Sequence, residues 1–264
     1  MEKRKVNKIN TRKAVFIAVL VVLIICVLHF IHPAGYMLEG NGQVDEDLHK
    51  LNKNIAALDN DKIDSAISKA AFDVKMNNSG GCGEGPDNRF IFSKSVLIGD
   101  SLAEGIVDYG ILDSSNVYAE RGKRLESSDD LFSKAVGARP ENLFIEFGMN
   151  DLIAYRGKTA PFIKEYSGIV KDLKKKLPNT NIYVVSISTI SQEGIASKPS
   201  LKNFGAYNEA MKKMCKEEKI NFVDTTLLLD SSSKYEFDGI HPQEPFYSNW
   251  VKLMCSYVLE NSGV

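Results

Sequence analysis

At 264 residues, 44% hydrophobic and 25% charged, the chain can build one large domain or two small ones around a sizeable core. Its net charge of −1, from 33 basic and 34 acidic residues, excludes the overall basic field that a nucleic-acid partner calls for. Its 4 cysteines are too few for a disulfide scaffold and show no metal-ligand spacing.

Near-neutrality hides an uneven distribution. Residues 1–13, MEKRKVNKINTRK, carry six Lys/Arg against one Glu, a net +5 that leaves −6 on the remainder. Ala14–Ile31, AVFIAVLVVLIICVLHFI, follows without a formal charge. As a helix it spans roughly 27 Å, close to the ~30 Å hydrocarbon core of a bilayer. The run is longer than a signal-peptide core, HFIHPAGYML offers no small-x-small cleavage site, and Cys26 follows Ile25 rather than the small residue of a lipoprotein signal. The expectation is an uncleaved transmembrane anchor. The positive-inside bias puts Met1–Lys13 in the cytoplasm and everything after Ile31 outside. A buried core helix is the alternative, against which the flanking charge cluster speaks.

Residues 32–90 are expected to be a stalk and linker. Leu48, Leu51, Ile55 and Leu58 recur three and four apart, a helical stripe. NNSGGCGEGPDN, 77–88, gathers turn formers into a flexible linker. Its glycines lack the preceding strand and following helix of a phosphate loop.

Over 91–264 the pattern becomes strands alternating with helices. Short β-branched and aromatic runs occur at SVLIGDS (95–101), NVYAER (116–121), NLFIEFG (142–148), NIYVVSIST (181–189) and INFVDT (220–225). Between them FIKEYSGIVKDLKKKL places Ile163, Tyr166, Ile169, Val170 and Leu173 on one helical face, and NWVKLMCSYVLEN predicts a closing helix. Such alternation predicts an α/β fold, a five-stranded parallel sheet covered on both faces, with sites at the carboxyl ends of its strands. Cys215 and Cys255 fall in predicted helices; they are read as buried small hydrophobes, able to pair only if those helices touch.

Each strand end carries an ambiguous polar feature. Ser101 in IGDSLAEG suits a nucleophile at a helix N-terminus, yet Ser101 and Glu104 also fit a capping box. Gly122 in AERGKRLES can bring a backbone N–H close to a substrate oxygen, or simply make a turn. Asn150 in FGMNDL can aim its amide into a site, or Asn150 or Asp151 can cap a helix. DGIHP places Asp238 three residues before His241, the one histidine of the predicted domain, where they can orient a base for Ser101 or build a turn. Lys123, Arg124, Arg156 and Lys158 follow the same strands and read as solvated charge or as attraction for an anionic polymer.

Taken in order, GDSLAEG, Gly122, GMND and DGIH resemble the four signature blocks of the SGNH (GDSL-type) hydrolases, over about Ser93 to the C-terminus. The resemblance implies a three-layer α/β/α domain of the flavodoxin-like kind with no metal or organic cofactor. It further implies a nucleophile Ser101, a base His241 oriented by Asp238, and an oxyanion hole of the Ser101 and Gly122 amides with the Asn150 side chain. With the anchor, the expectation is an extracytoplasmic, membrane-anchored esterase acting on O-acyl, chiefly O-acetyl, groups of cell-envelope carbohydrate. A lipase or lysophospholipase, an O-acyltransferase and a non-catalytic wall-binding module are the alternatives. A nucleic-acid partner has no support.

Overall fold

The computed structural model describes residues 86–230 and 233–262, together with positions 69, 70, 72–74 and 76. The expected basic tail, anchor and most of the stalk lie outside the described residues. Among those described, no helix is long and apolar enough to cross a membrane. Helix α1, Pro86–Ile91, begins inside the segment read as linker. Its Asn88 is buried, and the backbone oxygen of that residue lies 3.8 Å from Cys255 Sγ.

Five parallel strands form one sheet in the order β2-β1-β3-β4-β5: β1 Ser95–Gly99, β2 Val117–Ala119, β3 Asn142–Glu146, β4 Asn181–Val185 and β5 Asn221–Val223. The first crossover moves to one side of β1 and the later ones to the other, so the chain reverses direction between β1 and β3. That switch point opens a crevice at the carboxyl edge. β1 and β3 are buried throughout, as strands covered on both faces must be, which is why Val96–Ile98 and Leu143–Ile145 are continuous apolar runs. The edge strands β2 and β5 keep three residues each, shorter than their sequence runs suggest.

Helix α2, Ser101–Asp108, packs with α8, Pro245–Ser262, over one face. On the other lie α3, Asp129–Ala138, α5, Thr159–Lys176, and α7, Phe204–Glu218, with the short α4, Met149–Ala154, and α6, Gln192–Ser197, in the connections. The buried stripe of α5 is Phe162, Tyr166, Val170 and Leu173; Ile163 and Ile169 are only partly covered. Phe162 stacks on Tyr207 of α7 with centroids 4.8 Å apart, and the Tyr166 hydroxyl donates to the Ile145 carbonyl at 3.1 Å. Opposite, Phe92, Phe144 and Tyr183 stack across the sheet beneath α8. Cys215 of α7 and Cys255 of α8 are both buried, as small hydrophobes are.

Candidate active site

β1 ends at Gly99 and the chain turns at once into α2. Asp100, not Ser101, takes the N-cap: its Oδ1 accepts from the Leu102 N–H at 3.0 Å. Glu104 turns away to Arg121, whose Nε is 2.7 Å from its Oε2. The capping box read in SLAE therefore does not form, and the Ser101 hydroxyl is left for another partner. That partner is His241, with Ser101 Oγ 2.8 Å from Nε2.

His241 arrives 140 residues later on a hairpin whose geometry follows from its sequence. Tyr235 bridges Pro242, the Glu236 N–H donates to the His241 carbonyl at 2.7 Å, and the Gly239 N–H donates to the Glu236 carbonyl at 2.9 Å. Gly239 has φ +67, and a Cβ there would sit 2.5 Å from Ser191 Oγ, so DG is a requirement of the turn and of its seat on α6. Within the turn Asp238 Oδ1 accepts from the Ile240 and His241 N–H groups at 2.8 and 3.0 Å. Its Oδ2 lies 2.5 Å from His241 Nδ1. Partial burial alone would raise the Asp238 pKa. The two backbone N–H groups and the imidazole outweigh it and hold the carboxyl below its ordinary value. An ionised Asp238 accepts the Nδ1 proton, which leaves the Nε2 lone pair facing Ser101.

Asn150 lies in the first turn of α4, just beyond β3, and caps nothing; the N-cap position is Gly148, and α4 has no side-chain cap. Its Nδ2 donates to Asp100 Oδ2 at 2.8 Å and to the Lys123 carbonyl at 3.2 Å, which brings the ends of β1, β2 and β3 together. Gly122 lies in the turn after β2 with φ +78, a backbone state that disfavours any side chain. Among the described residues the N–H groups of Ser101 and Gly122 meet no protein acceptor. The charges flanking Gly122 are consumed locally. Arg121 pairs with Glu104 and Asp108, Lys123 with Asp130 and Glu120, and Arg124 with Glu126. No cluster of metal ligands occurs among the described residues.

The structure thus brings Ser101, Asp238, His241 and Asn150 to one sheet edge, with Gly122 on the neighbouring loop. Beneath them lie two carboxyls that no motif marks as site residues: Asp100, completely buried, and Glu146, 2% exposed. A signal was available, because an acid inside the apolar run NLFIEFG has no place in a strand covered on both faces unless it has a partner there.

A family model described as the GDSL-like lipase/acylhydrolase family matches residues 97–248. No curated protein matches the chain. Solved structures do. A Bacteroides fragilis protein assigned as an acylhydrolase is 16% identical, covers 70% of this chain and 94% of its own, and superposes with a TM-score of 0.53. A GDSL-like lipase from Bacteroides thetaiotaomicron is 14% identical, with 70% and 95% covered and a TM-score of 0.52. A carbohydrate esterase family 3 protein from Talaromyces cellulolyticus is 14% identical, with 64% and 98% covered and a TM-score of 0.50. At such identities the likeness is one of fold.

Proposed function

We propose, for a chain that belongs to the GDSL-like lipase/acylhydrolase family and is therefore a serine ester hydrolase, that Ser101, His241 and Asp238 cleave O-acetyl esters of cell-envelope carbohydrate. The observation that carries the chemistry is the relay from Asp238 Oδ2 through His241 to Ser101 Oγ, with contacts of 2.5 and 2.8 Å.

A serine hydroxyl is a weak nucleophile at neutral pH, and the neutral imidazole is the base that corrects this. His241 Nε2 takes the Ser101 proton as Oγ attacks the ester carbonyl. Asp238 stabilises the imidazolium and keeps the ring in register. Charge gathering on the carbonyl oxygen is met by the Ser101 N–H at the head of α2, where the helix dipole adds to it, by the Gly122 N–H and by an Asn150 Nδ2 proton. His241 gives its proton to the leaving alcohol oxygen as the C–O bond breaks. Water then attacks the acyl-serine, losing a proton to the same nitrogen, and the acid departs with Ser101 restored.

Two features support a small acyl group on a large carrier. The His241 and Asp238 side chains are 31% and 43% exposed, so the relay lies at the surface, open to a bulky alcohol. Phe237, one residue before Asp238, is fully exposed at the hairpin tip and offers a flat apolar face beside the site. The anchor 14–31, behind its basic tail, would hold the domain outside the membrane and near the envelope. An ester panel on the detergent-solubilised full chain, from acetyl to long-chain p-nitrophenyl esters and acetylated glycans, tests this with Ser101→Ala as control. Acetyl esters should be turned over fastest and Ser101→Ala should be inactive. Preference for long acyl chains would make it a lipase, acetyl transfer to a glycan acceptor an acyltransferase, and full activity in Ser101→Ala would end the proposal.

A further inference from the structure

Beneath the oxyanion donors lie carboxyls that this chemistry leaves without a task. Glu146, at the end of β3, is in register with Gly99 of β1. A Cβ on Gly99 would sit 2.8 Å from Glu146 Oε2, so only a residue without a side chain leaves that carboxyl its place. The Asp100 N–H donates to the same oxygen at 3.4 Å. Asp100 itself is surrounded by donors, the Leu102 N–H on Oδ1 and Asn150 Nδ2 on Oδ2. The nearby cations Arg121, Lys123 and Arg124 are engaged with other carboxylates.

Two adjacent buried carboxylates without a cation cannot both be charged. Burial, and then the charge of Asp100, push the Glu146 carboxyl well above the usual range. Burial raises Asp100 as well, but its donors oppose the rise. The remaining groups facing the pair are Asp151 of α4, Tyr166 of α5, Tyr247 of α8 and His241. The first is another acid and the tyrosines are neutral, so none supplies a fixed positive charge. One proton therefore resides in the pair, on Glu146.

That distribution matters for Asn150. An amide can sit either way round, and its neighbours choose. With Nδ2 toward Asp100 Oδ2 and the Lys123 carbonyl, both protons find acceptors; the flipped amide would set Oδ1 against a carboxylate and a carbonyl. The contact to Asp100 is the shorter, 2.8 against 3.2 Å, and the proton on the longer one is free to be shared with an oxyanion. We propose that Asp100 and Glu146 are a positioning pair for the oxyanion hole, Glu146 keeping the proton and Asp100 the charge that fixes the Asn150 amide nitrogen toward the reacting carbonyl.

The inference rests on hydrolysis at Ser101, and the test separates the two. kcat and KM on p-nitrophenyl acetate are measured for the full chain carrying Asp100→Asn, Asn150→Ala or both, with Ser101→Ala as baseline and thermal unfolding as a check. Asparagine at 100 retains an oxygen to cap Leu102, so α2 is preserved. Asp100→Asn should lower kcat about 10²-fold with KM nearly unchanged, the loss of one oxyanion donor. In the Asn150→Ala background it should cost less than about threefold more, because both act on one group. Losses that multiply in the double variant, or Asp100→Asn at wild-type kcat, overturn the pair. The proton has its own test. Wild-type kcat should fall at alkaline pH as Glu146 ionises beside Asp100, and Glu146→Gln, which cannot ionise, should lose that fall. An alkaline limb unchanged in Glu146→Gln overturns the assignment. Activity surviving in Ser101→Ala would remove the hydrolytic reading itself.

Discussion

Replacing Asp238 by asparagine isolates the imidazole's orientation from everything else the turn does. Asp238 Oδ1 holds two backbone N–H groups, and an amide oxygen can keep both. At Oδ2, 2.5 Å from His241 Nδ1, the substitution sets an NH2 against an N–H. The ring escapes by moving its proton to Nε2, which then meets Ser101 Oγ as a donor and cannot accept its proton. For a buried triad carboxylate this error costs about 10⁴ in kcat. Here the Asp238 side chain is 43% exposed, so water can support the productive tautomer for part of the time. The expected loss in kcat is about 10²–10³, or about 3–4 kcal/mol of transition-state stabilisation, with KM little changed. Hydrolysis of p-nitrophenyl acetate at neutral pH reads it, and the unfolding midpoint should stay within a few degrees because the turn's hydrogen bonds survive. A folded Asp238→Asn protein with kcat within threefold of wild type would refute the relay as drawn.

Other substitutions probe separate parts of the site. Asp151 is buried with Oδ1 bonded to the Leu125 N–H and Oδ2 without a partner, and burial raises its pKa to about 7. A raised carboxyl binds its proton more tightly when folded, so its ionisation costs stability between the unfolded value of 3.8 and about 7. Asp151→Asn should therefore be stabilising in urea titrations above that window, on the order of 1–3 kcal/mol, and should show no such gain below about pH 4. Gly122→Ala places a Cβ in open space but at φ +78, so it should strain the turn by about 1–2 kcal/mol and lower kcat about tenfold, without large loss of stability. Phe237→Ala should raise KM for an acetylated oligosaccharide about fivefold or more, the removal of one aromatic contact, relative to its effect on p-nitrophenyl acetate. Equal effects on both substrates would argue against a carrier-binding face at the hairpin tip.

The parts of this fold legible in the sequence were those in which one residue type had one explanation. Strands β1, β3 and β4 lie inside the sheet, and burial on both faces leaves continuous apolar runs at Val96–Ile98, Leu143–Ile145 and Ile182–Val185. β2 and β5 are shorter than their runs because an edge strand pairs on one side only and stops where its neighbour does. DGIH was legible as a turn, and the turn is there: Gly239 makes the bend that lets Asp238 reach His241 Nδ1, the contact on which the proposed relay rests. Ser101 illustrates the opposite case. SLAE satisfies a local capping rule, yet the cap went to the preceding aspartate, whose side chain is held by Asn150 of α4 and whose N–H meets Glu146 of β3, both some fifty residues away.

This choice also explains why an acid stands where an apolar residue would pack. Without a carboxylate at 100 the Leu102 N–H would lose its cap and Asn150 Nδ2 its shorter acceptor. Asp100 needs donors to remain charged when buried, and Asn150 needs an anion to hold its nitrogen forward, so each supplies what the other lacks. Glu146 contributes the proton that keeps a second acid from undoing the arrangement, and Gly99 contributes the space. In the proposed mechanism the surroundings of Ser101 are thus set by groups that lie beneath the site and do not touch substrate. An enzyme that loses Asp100 should lose turnover before it loses fold, whereas a cap acting for stability alone would fail in the reverse order.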